Sequence, residues 1–151
     1  MARENVRSTI NVRYTGTNLS GSDVGGGLVA VLVNDAPSQT GGARPTVTKA
    51  PTGTGADGTI LGTIQTVESP TPSPNNNRAP SGQSIGTVAT SGTLLVKKST
   101  APIADDVGDY LAIDTDAGRT VGTVKTAGTG THLIIDITGT TTDDFLVVLF
   151  R

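Results

Sequence analysis

Ile85-Gly86-Thr87-Val88-Ala89-Thr90 is a phrase the chain uses three times: Leu61-Gly62-Thr63-Ile64-Gln65-Thr66 and Val121-Gly122-Thr123-Val124-Lys125-Thr126 share its form, apolar-Gly-Thr-apolar-x-Thr. Thr, Val and Ile are stiff at χ1 and pack well on a pleated surface, so each copy predicts a β-strand. A Gly inside a strand marks a bend or a place where another backbone comes close. The copies stand 24 and 36 residues apart, an unequal spacing that is no solenoid period. They read as one strand type used three times.

Working outward, Leu28-Val29-Ala30-Val31-Leu32-Val33 is an apolar run between Gly25-Gly26-Gly27 and Asn34-Asp35-Ala36-Pro37, the pattern of a buried strand between turns. Thr93–Val96, Tyr110–Ile113, His132–Ile137 and Phe145–Phe150 add further short strands. Eight or nine strands and no helix predict an all-β domain, a β-sandwich or small β-barrel with Greek-key or meander connections. Composition agrees: the 151 residues include 26 Thr and 20 Gly against 2 Glu, 3 Gln and 1 Met, so helix formers are scarce. Leu, Ile, Val and Phe number 36, enough for one thin core in a chain of single-domain length.

Two stretches read as loops. Residues 36–58 are Pro, Gly, Thr and Ser with few apolar side chains, and residues 69–84, Ser-Pro-Thr-Pro-Ser-Pro-Asn-Asn-Asn-Arg-Ala-Pro-Ser-Gly-Gln-Ser, are a Pro-rich excursion of polyproline II character. Residues 1–18 read as an extended N-terminal arm ahead of an all-β domain over 19–151. In the arm Val6, Ile10 and Tyr14 are sparse, and Arg3, Arg7 and Arg13 alternate with Ser, Thr and Asn. A segment this polar is expected to stand off its own core and to order against a neighbouring subunit, with those six residues as contacts.

Several chemistries fall away. Without Cys there are no disulfides, thiolate metal sites or Cys nucleophiles. The net charge of −2 gives no drive toward nucleic acid or an anionic membrane, and Lys97-Lys98 is the one basic pair. Charge is nonetheless uneven, +3 over residues 1–100 and −5 over 101–151. No apolar run reaches the length of about 18 residues that a membrane span requires, and Met-Ala-Arg-Glu-Asn-Val lacks the apolar stretch of a secretory signal, so no membrane partner is expected. Gly25-Gly26-Gly27 lacks the following Lys-Ser/Thr of a phosphate loop.

His132, the single histidine, opens a strand and reads as a strand-end surface residue, since no Gly-x-Ser-x-Gly elbow accompanies it. Asp114-x-Asp116-x-Gly118 has the spacing that opens a calcium loop, but the further oxygen ligands and the bidentate Glu are missing. Asp capping its own turn before a Gly is the better reading, so no metal is expected. With no Trp and only Tyr14 and Tyr110 as Tyr, a sugar platform is also lacking.

One resemblance spans these pieces. Ile85-Gly86-Thr87-Val88 through Ser91-Gly92-Thr93-Leu94-Leu95-Val96, then Ile103 to Val107-Gly108-Asp109-Tyr110-Leu111, then Asp114 to Gly118-Arg119-Thr120-Val121-Gly122, with a closing strand over Asp144–Arg151, resembles the small β-rich capsid decoration (cement) proteins of tailed bacteriophages. The resemblance covers about the last two-thirds of the chain. It implies a structural protein of the virion, assembled in the bacterial cytoplasm. Such a protein binds the outer capsid across neighbouring major capsid proteins and copies of itself, as a trimer or a dimer, with no cofactor and no enzymatic activity. A virion-surface or tail-associated adhesion or carbohydrate-binding module is the alternative.

Overall fold

The computed structural model describes residues 4–15, 23–33, 45–68 and 84–151. Nine strands are present: β1 Asn5–Tyr14, β2 Val29–Leu32, β3 Thr46–Lys49, β4 Ile60–Glu68, β5 Ser84–Val96, β6 Tyr110–Ile113, β7 Val124–Ala127, β8 Leu133–Ile137 and β9 Leu146–Phe150. A single turn of 3-10 helix, Ala104–Asp106, lies between β5 and β6. The all-β fold expected from the Thr, Val and Gly usage is the fold observed.

Two strand systems share β5. The order β1-β3-β2-β4-β5, closed by direct β1–β5 pairing, makes a five-stranded barrel, and β5-β9-β8-β6-β7 continues as a second sheet. β4 pairs with β5 at Ile85–Ala89 and β9 takes over the same border at Gly92–Val96. Gly92 sits at the handover with φ +119, a conformation that favours glycine, and its added Cβ would lie 2.0 Å from the Asn5 carbonyl oxygen. What the sequence divides into two strands at Ser91-Gly92 is therefore one strand that turns without stopping.

Alternation sorts the side chains into two cores. Val12, Tyr14, Ala30, Val47, Ile64 and Val88 fill the barrel. Their strand neighbours Val29, Val31 and Ala89 point outward, where Leu94, Val96, Leu111, Val124, Ile134, Leu146, Val148 and Phe150 of the second sheet cover them. Each fully buried Val, Leu or Ile contributes about 1.5–3 kcal/mol relative to exposure, so this larger aliphatic core carries most of the hydrophobic stabilisation.

The repeated Gly-Thr phrase has a physical basis here. A Cβ on Gly62 would lie 1.7 Å from the Ala89 carbonyl oxygen, and one on Gly86 would lie 1.9 Å from that of Thr66. In β4 and β5, then, the glycine admits a neighbouring backbone. The third copy differs: Val121–Thr123 is a turn and the strand begins at Val124.

Two expectations need correction. Residues 5–14 of the expected 1–18 arm are not apart from the domain. β1 pairs with β5 from Asn5↔Thr93 to Tyr14↔Ser84 and runs parallel to β3 at Arg13↔Thr46 and Tyr14↔Val47, so it is a wall of the barrel. Val12 and Tyr14 are fully buried, because alternation needs only every second residue to be apolar. Residues 36–58 are not loop throughout, since Thr46–Lys49 forms β3 with Val47 in the barrel core. The Pro-rich stretch 69–83, like residues 16–18 and 36–44, lies outside the described residues.

Candidate functional site

The six residues singled out as contacts separate along β1. Arg3 lies outside the described residues. Tyr14 is in the barrel, where its hydroxyl donates to the Thr66 and Thr87 carbonyls at 3.0 and 2.9 Å. Burial pushes its phenol above the ordinary Tyr range. Ile10 packs against the same core and Arg13 is half-buried. Only Val6 and Arg7 are exposed, so the structure removes Tyr14 from the contact set and leaves the N-terminal half of the strand.

That half is fixed but uncovered. Glu4 to Thr9 are all exposed, yet the backbone is held in register on β5 through a bulge between Val6 and Thr9. Ser8 Oγ lies 2.6 Å from Ser91 Oγ, and Glu4 Oε1 accepts the Leu95 amide at 3.3 Å. The other border of β1 behaves differently. Arg13 and Thr15 donate to the Pro45 and Val47 carbonyls, so the amides of Asn11 and Thr9, two and four residues before Arg13, point the same way. No described residue pairs with them. Such a border is a template for another extended chain, and the bulge and Arg7 are features that restrain indiscriminate pairing.

The carboxylates at the far end of the molecule serve structure. Asp106, buried beside the 3-10 turn, accepts both oxygens' worth of contacts from Lys98 Nζ at 2.9 and 2.8 Å, together with the Ile103 amide at 2.8 Å and Thr126 Oγ1 at 3.1 Å. Sequence reasoning read Lys98 only as half of a basic pair, and nothing in the spacing marks its partner. Asp114 caps its own turn, as its Oδ1 accepts the Asp116 amide at 2.9 Å. Arg119 stands 3.7 Å from Asp114 Oδ2 and 3.6 Å from Asp116 Oδ2. Burial would raise the Asp114 carboxyl, but the Ser99 hydroxyl, the Asp116 amide, Arg119 and Lys125 outweigh it and hold the group below the usual carboxylate range.

His132 is half-buried at the start of β8 and stacks on Phe150, with ring centroids 4.2 Å apart, so it is more enclosed than a surface strand end. All four aromatic residues of the chain are described, and none is exposed: Tyr14 and Phe150 are buried, Tyr110 and Phe145 half-buried. The large apolar side chains that are exposed among the described residues are aliphatic: Val6, Val24, Ile103, Val107, Val121 and Ile135. No family model, curated protein or solved structure matches the chain.

Proposed function

We propose that this protein is a structural decoration protein of a tailed-phage head, bound to the outer shell across neighbouring major capsid proteins, with the exposed half of β1 in its contact surface. The observation that carries the reading is where the resembling segments fall. Residues 85–125 and 144–151 span nearly all of β5, all of β6 and β9 and the first residues of β7, strands that with β8 lie in one sheet over one aliphatic core. The segments that carry the resemblance thus fall on neighbouring strands, which supports reading them together. Among the described residues nothing pairs with the border at Thr9 and Asn11, and such a border is suited to an extended segment of a shell subunit. The glycan-binding alternative is disfavoured by the absence of an exposed aromatic ring.

A shell protein of this kind works by mass action. A standard interface buries about 1,600 Å² and stabilises only the assembled state, so many copies strengthen a shell without altering its subunit fold. The test is add-back to heads that lack the protein, followed by sedimentation and gel densitometry over a dilution series. The proposal expects saturation at a fixed ratio to the major capsid protein, and lower occupancy for Arg7→Glu at unchanged melting temperature. Failure of the wild-type protein to sediment with heads at any concentration would overturn it.

A further inference from the structure

Where the barrel meets the second sheet, an open cleft of about 420 Å³ is lined by Gly58, Thr59 and Ile60 at the start of β4, by Leu111–Ile113 of β6, and by Gly130–His132. His132 ties its walls together. The ring stacks on Phe150 of β9 with planes inclined by 25°, and a backbone hydrogen bond links it to Ile60. Its Nδ1 is enclosed and has no hydrogen-bond partner among the described residues.

The surroundings contain no counter-charge. Every other residue lining the cleft is uncharged. The ionisable groups on the packed segments are Asp57 before β4, Asp109 and Asp114 flanking β6, Asp136 in β8 and Arg151 after β9, and none of them lines the cleft. Among the described residues no ion pair includes the imidazole. A neutral ring suits this site, since one nitrogen can remain without a proton. An imidazolium carries N–H donors on both nitrogens, and the one on Nδ1 would be buried with no acceptor.

We propose that His132 is an acid-operated latch between the barrel and the second sheet: the neutral ring ties the two walls of the cleft together, and protonation, which puts a donor on the enclosed Nδ1 with no acceptor, turns the ring out, so that Gly58–Ile60 and Leu111–Ile113 part. Burial sets the direction, holding the ring below its ordinary range against the smaller opposing effect of the Ile60 hydrogen bond. The open form binds the proton more readily than the closed form. The latch is therefore fully engaged above about pH 6.5, the ordinary value, and weakens as the pH falls below it.

Hydrogen exchange of the whole protein tests this, with amide protection factors compared between about pH 7.5 and pH 5, on either side of the ordinary histidine value. His132→Phe keeps an aromatic stack and cannot take up a proton. In the wild type, protection at Gly58–Ile60 and Leu111–Ile113 should fall, by about tenfold for each pH unit between the closed-state and open-state pKa values. Protection at Val12 and Val88 in the barrel core should hold, and His132→Phe should lose the pH response at the cleft. An equal response in both proteins would overturn the latch. Should the variant not fold, the wild-type His132 Hε1 resonance decides: titration below the ordinary value supports the latch, and titration at or above it overturns it.

Discussion

The two halves of β1 face opposite demands within one strand. Ile10–Tyr14 alternates between core and surface, pairs with β5 throughout and with β3 at Arg13 and Tyr14, and contributes the fully buried Val12 and Tyr14. Among the described residues Asn5–Thr9 is paired on one border only, and its side chains are exposed. The N-terminal half is held by its register on β5 and by the Ser8–Ser91 and Glu4–Leu95 contacts, and no described residue pairs with its other border. A polar strand can thus be a structural wall at one end and an outward rail at the other.

The sharpest way to break the distinction is to destroy the wall. Gly86→Val would drive a side chain into the Thr66 carbonyl and the Tyr14 ring, which a Cβ already reaches at 1.9 and 2.8 Å. Neither backbone nor ring can withdraw without opening the barrel. The expected loss exceeds about 4 kcal/mol in denaturant unfolding, the range reserved for severe packing failure. A well-folded Gly86→Val protein would show that the close approach is not required.

Tyr14→Phe is milder and sharper, since it keeps the ring and removes the donor shared by Thr66 and Thr87. A loss of about 1–3 kcal/mol is expected, the range for leaving buried polar groups without their partner, with β1 still in place.

Gly92→Ala targets the other half. Its Cβ meets the Asn5 carbonyl at 2.0 Å in a backbone at φ +119, so Asn5–Thr9 should peel from β5 while the barrel survives. The global loss should be about 1–2 kcal/mol, the left-handed backbone penalty for a residue with a Cβ. Trypsin should cut faster after Arg7 and no faster after Arg13. Equal acceleration at both sites would mean that the two halves unfold together.

The smallest effect lies in the second sheet and serves as a control on β1. Asp114 is held below the ordinary carboxylate range in the folded protein, so its contribution is present above that range and is lost as the pH falls through the depressed value. Asp114→Asn should therefore flatten the acid limb of the melting-temperature profile and leave trypsin cleavage after Arg7 unchanged. An acid limb identical to that of the wild type would remove Asp114 from the account of acid stability.

Legibility in the sequence followed how side chains were distributed. β2 and β9 are near-continuous apolar runs buried on both faces, and such runs announce themselves. The Gly-Thr phrase was readable because an interior strand glycine has few physical uses. β1 was not, because Arg13 separates Val12 from Tyr14 and the outward face carries Ser, Thr, Asn and Arg, the composition of a solvated arm. β3 was hidden for a similar reason: Val47 is its only aliphatic residue, and Thr46 is buried beside it. The Lys98–Asp106 pair depends on where the 3-10 turn folds back, which no local pattern reports. In the contact surface, the exposed residues were identified from polarity, whereas the unpaired border follows only from strand order.

Hydrogen exchange along β1, measured for the free protein and for the protein bound to heads, separates the barrel wall from the contact border. The prediction is slow exchange at Val12 and Tyr14 in both states, and fast exchange at Thr9 and Asn11 that becomes slow on heads. Unchanged exchange at Thr9 and Asn11 on heads carrying the protein would contradict the assignment of this border as a contact, and fast exchange at Val12 in the free protein would contradict the barrel wall itself.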